Sequence, residues 1–344
     1  VSFLDRFLPL WIALAMALGL ALSVFAPGIA SALHAASIGS VSLPIALGLL
    51  IMMYPPLAKV RYSQATKLAS DTRLMVVSLV LNWVVGPAFM FALAWIFLPD
   101  QPELRTGLII VGLARCIAMV LVWSELSCAD RDATAILVAI NSVFQVLMFG
   151  LLGWFYLQIL PAWLGLDTTS ADFSLWAIIT SVLVFLGIPL LAGAVSRILG
   201  ERIKGRKWYE QRFLPAISPL ALIGLLYTIV VLFLLQGPTV MESPWAVARV
   251  AVPLLCYFVG MFALALAVSK AAGLDYARSS SVSFTAAGNN FELAIAVSIG
   301  TFGATSGQAL AGTIGPMVEV PVLVGLVYVM LWLRPRLFPR EGVQ

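Results

Sequence analysis

The sequence predicts an all-α, polytopic membrane protein of ten transmembrane helices, and three observations predict it. Hydrophobic residues make up 62% of the chain and charged residues 10%, with a mean hydropathy of +1.03. A soluble domain carries about 25% charged residues, so this chain lacks the polar surface that a water-facing fold needs. Apolar stretches of roughly 18 residues or more are long enough to cross a membrane, and the chain holds about ten of them. The basic residues, finally, cluster in alternate loops, as membrane topology requires. The net charge of +4 therefore reflects topology and not nucleic-acid binding.

Helix 1 (about 8–26) follows Arg6, and helix 2 (about 40–57) runs into a basic segment with Lys59, Arg61, Lys67 and Arg73. Helix 3 (about 74–97) leaves that segment, and helix 4 (about 103–126) has only Arg105 at its outer end. Helix 5 (about 133–160) begins after Arg131. An acidic outer loop, 161–172, precedes helix 6 (about 173–199). The longest basic loop follows, with Arg197, Arg202, Lys204, Arg206, Lys207 and Arg212. Helices 7 (about 213–235) and 8 (about 244–269) return to Lys270 and Arg278. Helices 9 (about 279–303) and 10 (about 306–333) end on Arg334, Arg336 and Arg340. With the amino terminus inside, 17 of the 20 basic residues lie on the inner side, and only Arg105 lies outside. Arg115 and Arg249 fall within helices. Both termini are thus expected in the cytoplasm, with the chain in the plasma membrane (the inner membrane of a bacterium). Residues 1–344 read as one transmembrane domain with no room for a soluble one, and the start does not resemble a cleavable secretory signal.

The outer loop at 161–172 divides the chain into two halves of five helices, 1–165 and 166–344. An odd number of helices per half inverts the second relative to the first. An offset of 176 residues carries Gly112 onto Gly288, Ala118 onto Ala294 and Cys116 onto Glu292. Glycines and amides precede each apolar segment and can interrupt a helix. Two broken helices meeting at mid-membrane is the arrangement found in transporters built from inverted repeats.

Polar residues inside the apolar spans are the candidate site. A carboxylate near the centre of a membrane helix costs at least about 2.5–3.5 kcal/mol on insertion scales, so Glu292 is expected to be paired, protonated or facing water, and to exchange protons. Asn289 and Asn290 can satisfy backbone groups freed by a helix break, or hold a polar substrate. The guanidinium of Arg115 needs an anion or acceptors. Glu319 in helix 10 and Glu292 are its expected partners, and a fixed cation there disfavours a sodium ion. Cys116, beside Arg115, is a soft thiol whose thiolate an adjacent cation promotes. Asn82, Asn141 and Gln145 are candidates to line the same cavity. Cys116, Cys128 and Cys256 suggest no disulfide framework. His34 is the single histidine, which excludes zinc fingers and catalytic triads.

The stretch Gly112-Leu-Ala-Arg-Cys-Ile-Ala-Met-Val-Leu-Val-Trp123, with Asp130-Arg131-Asp132 and Leu137-Val-Ala-Ile-Asn-Ser-Val-Phe-Gln145, resembles the arsenite efflux permease family of the bile/arsenite/riboflavin transporter superfamily. Gly288-Asn-Asn-Phe-Glu-Leu-Ala-Ile-Ala296 is similar to its second signature. The resemblance implies inverted five-helix repeats with helices 4 and 9 discontinuous and crossing. It implies outward transport of trivalent arsenic as As(OH)₃, with antimonite as a further cargo, in exchange for protons. Cys116 then corresponds to the essential thiol, touching arsenic transiently, and Glu292 to the helix-9 glutamate, with Glu319 as a second proton-coupling group. Arg115, Asn289 and Asn290 complete the expected substrate site. The partners implied are the small-molecule cargo, protons and membrane lipid. No cofactor is implied and no enzymatic activity, and the oligomeric state is left open. A sodium-coupled symporter of an organic anion, held by Arg115, is the alternative on the same fold.

Overall fold

The computed structural model describes residues 7–38, 41–59, 71–117, 119–168, 175–242, 244–303 and 305–339. Arg6, Arg61, Lys67, Ala118 and Arg340 lie outside these, as does the side chain of His34. Helix α1 (Leu8–Phe25) turns by 101° into α2 (Pro27–Ala35). A short antiparallel ribbon of β1 (Ser37–Ile38) and β2 (Val41–Ser42) leads into α3 (Leu43–Lys59). Then come α4 (Thr72–Phe97), α5 (Pro102–Leu113), α6 (Met119–Leu126), α7 (Arg131–Trp163), α8 (Trp176–Lys204) and α9 (Arg206–Pro238). The chain closes with α10 (Pro244–Ala271), α11 (Tyr276–Ala287), α12 (Phe291–Phe302) and α13 (Gly307–Leu337).

The protein is thus a polytopic, helical membrane protein. Among the described residues six helices, α4, α7, α8, α9, α10 and α13, are long and apolar enough to cross a membrane unaided. The four other expected spans fall on shorter pieces. Helix 1 is the bent α1–α2 pair, and helix 2 is the 17-residue α3. Helix 4 is split into α5 and α6, and helix 9 into α11 and α12.

Local sequence explains many of the ends. Asp71, Asp130, Asp275 and Ser306 each accept a hydrogen bond from a backbone N–H in the first turn of α4, α7, α11 and α13, the standard N-cap device. Four long helices contain one wide turn each, Leu81–Val85, Phe155–Ile159, Leu183–Gly187 and Tyr209–Phe213. Each ends two residues before a proline: Pro87, Pro161, Pro189 and Pro215. Proline removes an N–H and drives its ring into the carbonyl four residues back. Widening the preceding turn moves that carbonyl aside, so the helix continues.

The helices form two groups. α1, α3, α8 and α9 pack on one another, and α4–α7 with α10–α13 form the second group. They meet where α8 lies against α7 and α12 and where α1 lies against α13. The broken pairs run through the centre of the second group, and every residue of α5 from Leu104 to Leu113 is buried. Apolar side chains such as Leu147, Leu191 and Tyr328 cover the outer faces, as suits contact with lipid. Just beyond the C-terminal end of α4, Arg249 grips Asp100 through two hydrogen bonds, one of 2.7 Å from Nη1 to Oδ2. The guanidinium's hydrogen bond holds the Asp100 carboxyl down at about 2.

Candidate functional site

Lipid supplies no hydrogen bonds, so backbone groups freed by a helix break must find partners within the protein. Here each break satisfies the other. The segments after α5 and α11 cross as an antiparallel bridge centred on Arg115 and Asn289. The Cys116 N–H donates to the Gly288 carbonyl (3.4 Å), and the Asn290 N–H donates to the Ala114 carbonyl (3.1 Å). Gly288 permits this approach. A Cβ there would stand 3.0 Å from Cys116 Cβ and 3.3 Å from Glu319 Oε1.

Side chains from two further helices hold the bridge from outside. Gln145 Oε1 in α7 accepts from the Arg115 N–H at 3.0 Å, and Glu319 Oε1 in α13 accepts from the Asn289 N–H at 3.1 Å. Each anchor lies 30 residues beyond the amide it holds. The helices that follow are capped in parallel fashion: Cys116 Sγ accepts from the Val120 N–H (3.3 Å), and Asn290 Oδ1 accepts from the Leu293 N–H (3.1 Å). Asn289 also donates from Nδ2 to the carbonyls of Val111 (2.9 Å) and Ala114 (3.1 Å).

These bonds correct the expected register. α5 and α11 are both 12 residues long, and the bridge pairs residues 174 positions apart. Cys116 therefore answers to Asn290, and Arg115 to Asn289. Glu292 lies two positions further on, in the first turn of α12. The coincidence of Gly112 with Gly288 misleads because the two glycines do different work. Gly112 sits inside α5, where a Cβ would collide with Met90, whereas Gly288 lies in the break itself.

Arg115 is fully buried, but neither expected carboxylate pairs with it. Its Nη1 donates to the Tyr257 hydroxyl of α10 (2.7 Å), and its Nη2 donates to the Gly112 carbonyl. Glu319 is instead committed to the Asn289 backbone. Tyr257 is the site residue that the sequence reading missed, although a tyrosine in the middle of an apolar span was a signal. Trp83 is another: its indole N–H donates to Asn141 Oδ1 at 3.1 Å.

Asn141 joins Gln145, whose Nε2 donates to the Asn141 carbonyl at 3.3 Å. Asn82 lies beside Trp83 and donates to Ser78. Asn82, Asn141, Gln145, Arg115, Cys116, Asn289, Asn290 and Glu319 are all buried, and Glu292 is partly buried. Several of their polar atoms have no hydrogen-bond partner: Arg115 Nε, Asn82 Oδ1, Asn141 Nδ2, Asn289 Oδ1 and Asn290 Nδ2. Cys128 and Cys256 are exposed. A cavity of about 490 Å³ lies between the end of α3 and the facing parts of α6 and α7, lined by Lys59, Ser124, Arg131 and Thr134 among others.

The profile of the Sodium Bile acid symporter family matches residues 46–243. The Arsenical-resistance protein Acr3 of Corynebacterium glutamicum is 73% identical over 99% of this chain and 92% of its own length. An uncharacterized transporter of Synechocystis sp. is 34% identical over 95% of this chain and 88% of its own. The Arsenical-resistance protein Acr3 of Alkaliphilus metalliredigens is 31% identical over 95% of this chain and 92% of its own. Identity this high along nearly the whole length, with the match to the Sodium Bile acid symporter profile, means that the chain belongs to the arsenite efflux permease family.

Proposed function

We propose that this protein exports trivalent arsenic from the cytoplasm in exchange for protons, and so confers resistance to arsenicals. The observation that carries the reading is the buried Cys116 thiol at the crossing, in a chain 73% identical to a protein named for arsenical resistance. Arsenite near neutral pH is the uncharged acid As(OH)₃, so the membrane potential cannot expel it. A small hydroxylated guest suits the donors and acceptors around the crossing. Sulfur is a soft ligand, and one thiol binds more weakly than a three-thiol chelate, as a carrier that must release its cargo requires. The contact can proceed to exchange: an S–As bond forms as one As–O bond breaks, and the thiol proton leaves with that hydroxyl as water. Hydrolysis reverses it. Antimonite, with the same ligand chemistry, is a second cargo.

In this scheme Glu292 takes a proton from outside and yields it inside as arsenite binds, with Glu319 as its coupled neighbour. The fold is read as two inverted five-helix repeats, 1–165 and 166–344, with both termini cytoplasmic in a bacterial inner membrane. The cavity beside Lys59 and Arg131 then opens to the cytoplasm. The two helix groups rock against each other to change access.

The test is arsenite uptake into inverted vesicles across an imposed pH gradient with the potential clamped. Wild type accumulates arsenite in proportion to the gradient, and Glu292→Gln does not. Gradient-driven uptake by Glu292→Gln would remove that carboxyl from the proton path. Uptake that ignores pH but follows sodium would replace exchange with the sodium-coupled alternative.

A further inference from the structure

A shallow groove of about 380 Å³ runs along the outside of the second helix group between α10 and α13. Its walls are Val259, Phe262, Leu266, Leu326, Val329 and Leu333, with neighbouring small or apolar residues, and its one charged lining residue is Lys270. Lys270 is in the last turn of α10, and Arg334 and Arg336 are in the last turn of α13, so both helices end in cations on the same side. No described carboxylate pairs with any of the three. Arg334 lies 4.8 Å from the Tyr276 ring and Arg336 lies 3.5 Å from the exposed Trp332 ring, while Lys270 stands exposed at the groove's mouth.

The dimensions say what fits. From Val259 to Lys270, and from Leu326 to Leu337, each wall is twelve residues of helix, whose eleven rises of 1.5 Å make about 16 Å. Half of a hydrocarbon core roughly 30 Å thick is about 15 Å. The groove is therefore one leaflet deep, apolar along its length and cationic at the headgroup level, which the inner-side cations mark as cytoplasmic. We propose that it is a binding site for an anionic phospholipid of the inner leaflet, with one acyl chain in the groove and the phosphate on Lys270. Basic pockets between membrane helices at this level bind anionic headgroups. The two helices so bridged are those that carry Tyr257 and Glu319, the holders of Arg115 and Asn289. The lipid braces the two supports of the crossing from outside.

The experiment is native mass spectrometry of the purified full chain, delipidated and then titrated with phosphatidylglycerol or phosphatidylcholine of matched acyl chains. Wild type retains phosphatidylglycerol in preference to phosphatidylcholine. Lys270→Gln lowers that preference about fivefold, the factor that corresponds to about 1 kcal/mol for one basic residue at the surface. Ala267→Trp, which fills the groove at an exposed position, removes the bound lipid of either kind while the protein keeps its thermal transition. Equal retention of the two lipids by wild type overturns the proposal, as does a preference untouched by Lys270→Gln. A dimer peak that Ala267→Trp abolishes would show a second copy in the groove instead, and also overturns it.

Discussion

Arg115 carries a charge in the middle of the protein without a carboxylate to match it. Its neighbours are a phenol and a carbonyl, and charge-assisted hydrogen bonds of this kind contribute about 1.5–3 kcal/mol each. Tyr257→Phe removes one of these and, with it, the hydroxyl's own 3.4 Å hydrogen bond to the Ala286 carbonyl, so a loss of stability of at least that order is expected, measured by thermal unfolding in detergent. Arg115→Leu and Glu319→Leu should each loosen the same Arg115–Asn289 bridge, with neither rescuing the other, because no ion pair joins them. A double mutant recovering stability beyond the sum of the singles would show a pairing the structure does not contain. Cys116→Ser keeps a small polar side chain but loses the soft ligand. Arsenite transport is expected to fall sharply with expression unchanged, whereas Cys128→Ser and Cys256→Ser, both at exposed positions, should transport nearly as wild type. Equal transport by Cys116→Ser would remove sulfur from the mechanism.

At the scale of elements, the crossing depends on how closely two backbones approach. A methyl group at Gly288 meets Cys116 and Glu319 at 3.0–3.4 Å, a tightness that small shifts can relieve, and a branched side chain asks for far more room. Gly288→Ala is therefore expected to reduce transport, and Gly288→Val to abolish it, in vesicle uptake normalised to the folded protein. Transport by Gly288→Val at the wild-type rate would mean that the close approach is dispensable. The existence of these broken helices was legible in the sequence, because glycine and amide residues stood inside apolar runs. Their register was not. Matching Gly112 to Gly288 assumed that identical residues play identical parts, whereas hydrogen bonds, which leave no trace in composition, pair Arg115 with Asn289. The anchors were half legible: Gln145 and Glu319 stood out as polar residues in apolar helices, but nothing in the sequence said that they hold backbone amides. The four wide turns were signalled only by their prolines.

For the whole molecule, composition and basic-residue placement carried the reading that the chain lives in a membrane, and the apolar runs marked where the long helices lie. Among the described residues length and composition recover six spans, or seven with the bent α1–α2 pair; the runs expected as helices 4 and 9 are broken, and α3 is 17 residues long. The division into two packed groups was invisible, since it depends on which apolar faces meet. One outer contact makes a further test. The Asp100 carboxyl, held at about 2, sits below the usual value near 3.9, so its bond to Arg249 contributes above about pH 4 and is lost as pH falls toward 2. The difference in thermal transition between wild type and Asp100→Asn should shrink over that window and with added salt, and a constant difference would rule the contact out as its cause. Besides the two bonds that the Asn289 side chain donates, the two breaks are joined main chain to main chain, Cys116 to Gly288 and Asn290 to Ala114. Peptide groups are the same in every protein. Provided that position 288 stays glycine, those two bonds do not depend on which side chains Cys116 and Asn290 carry, so selection can rewrite these two letters without unfastening the main-chain joint.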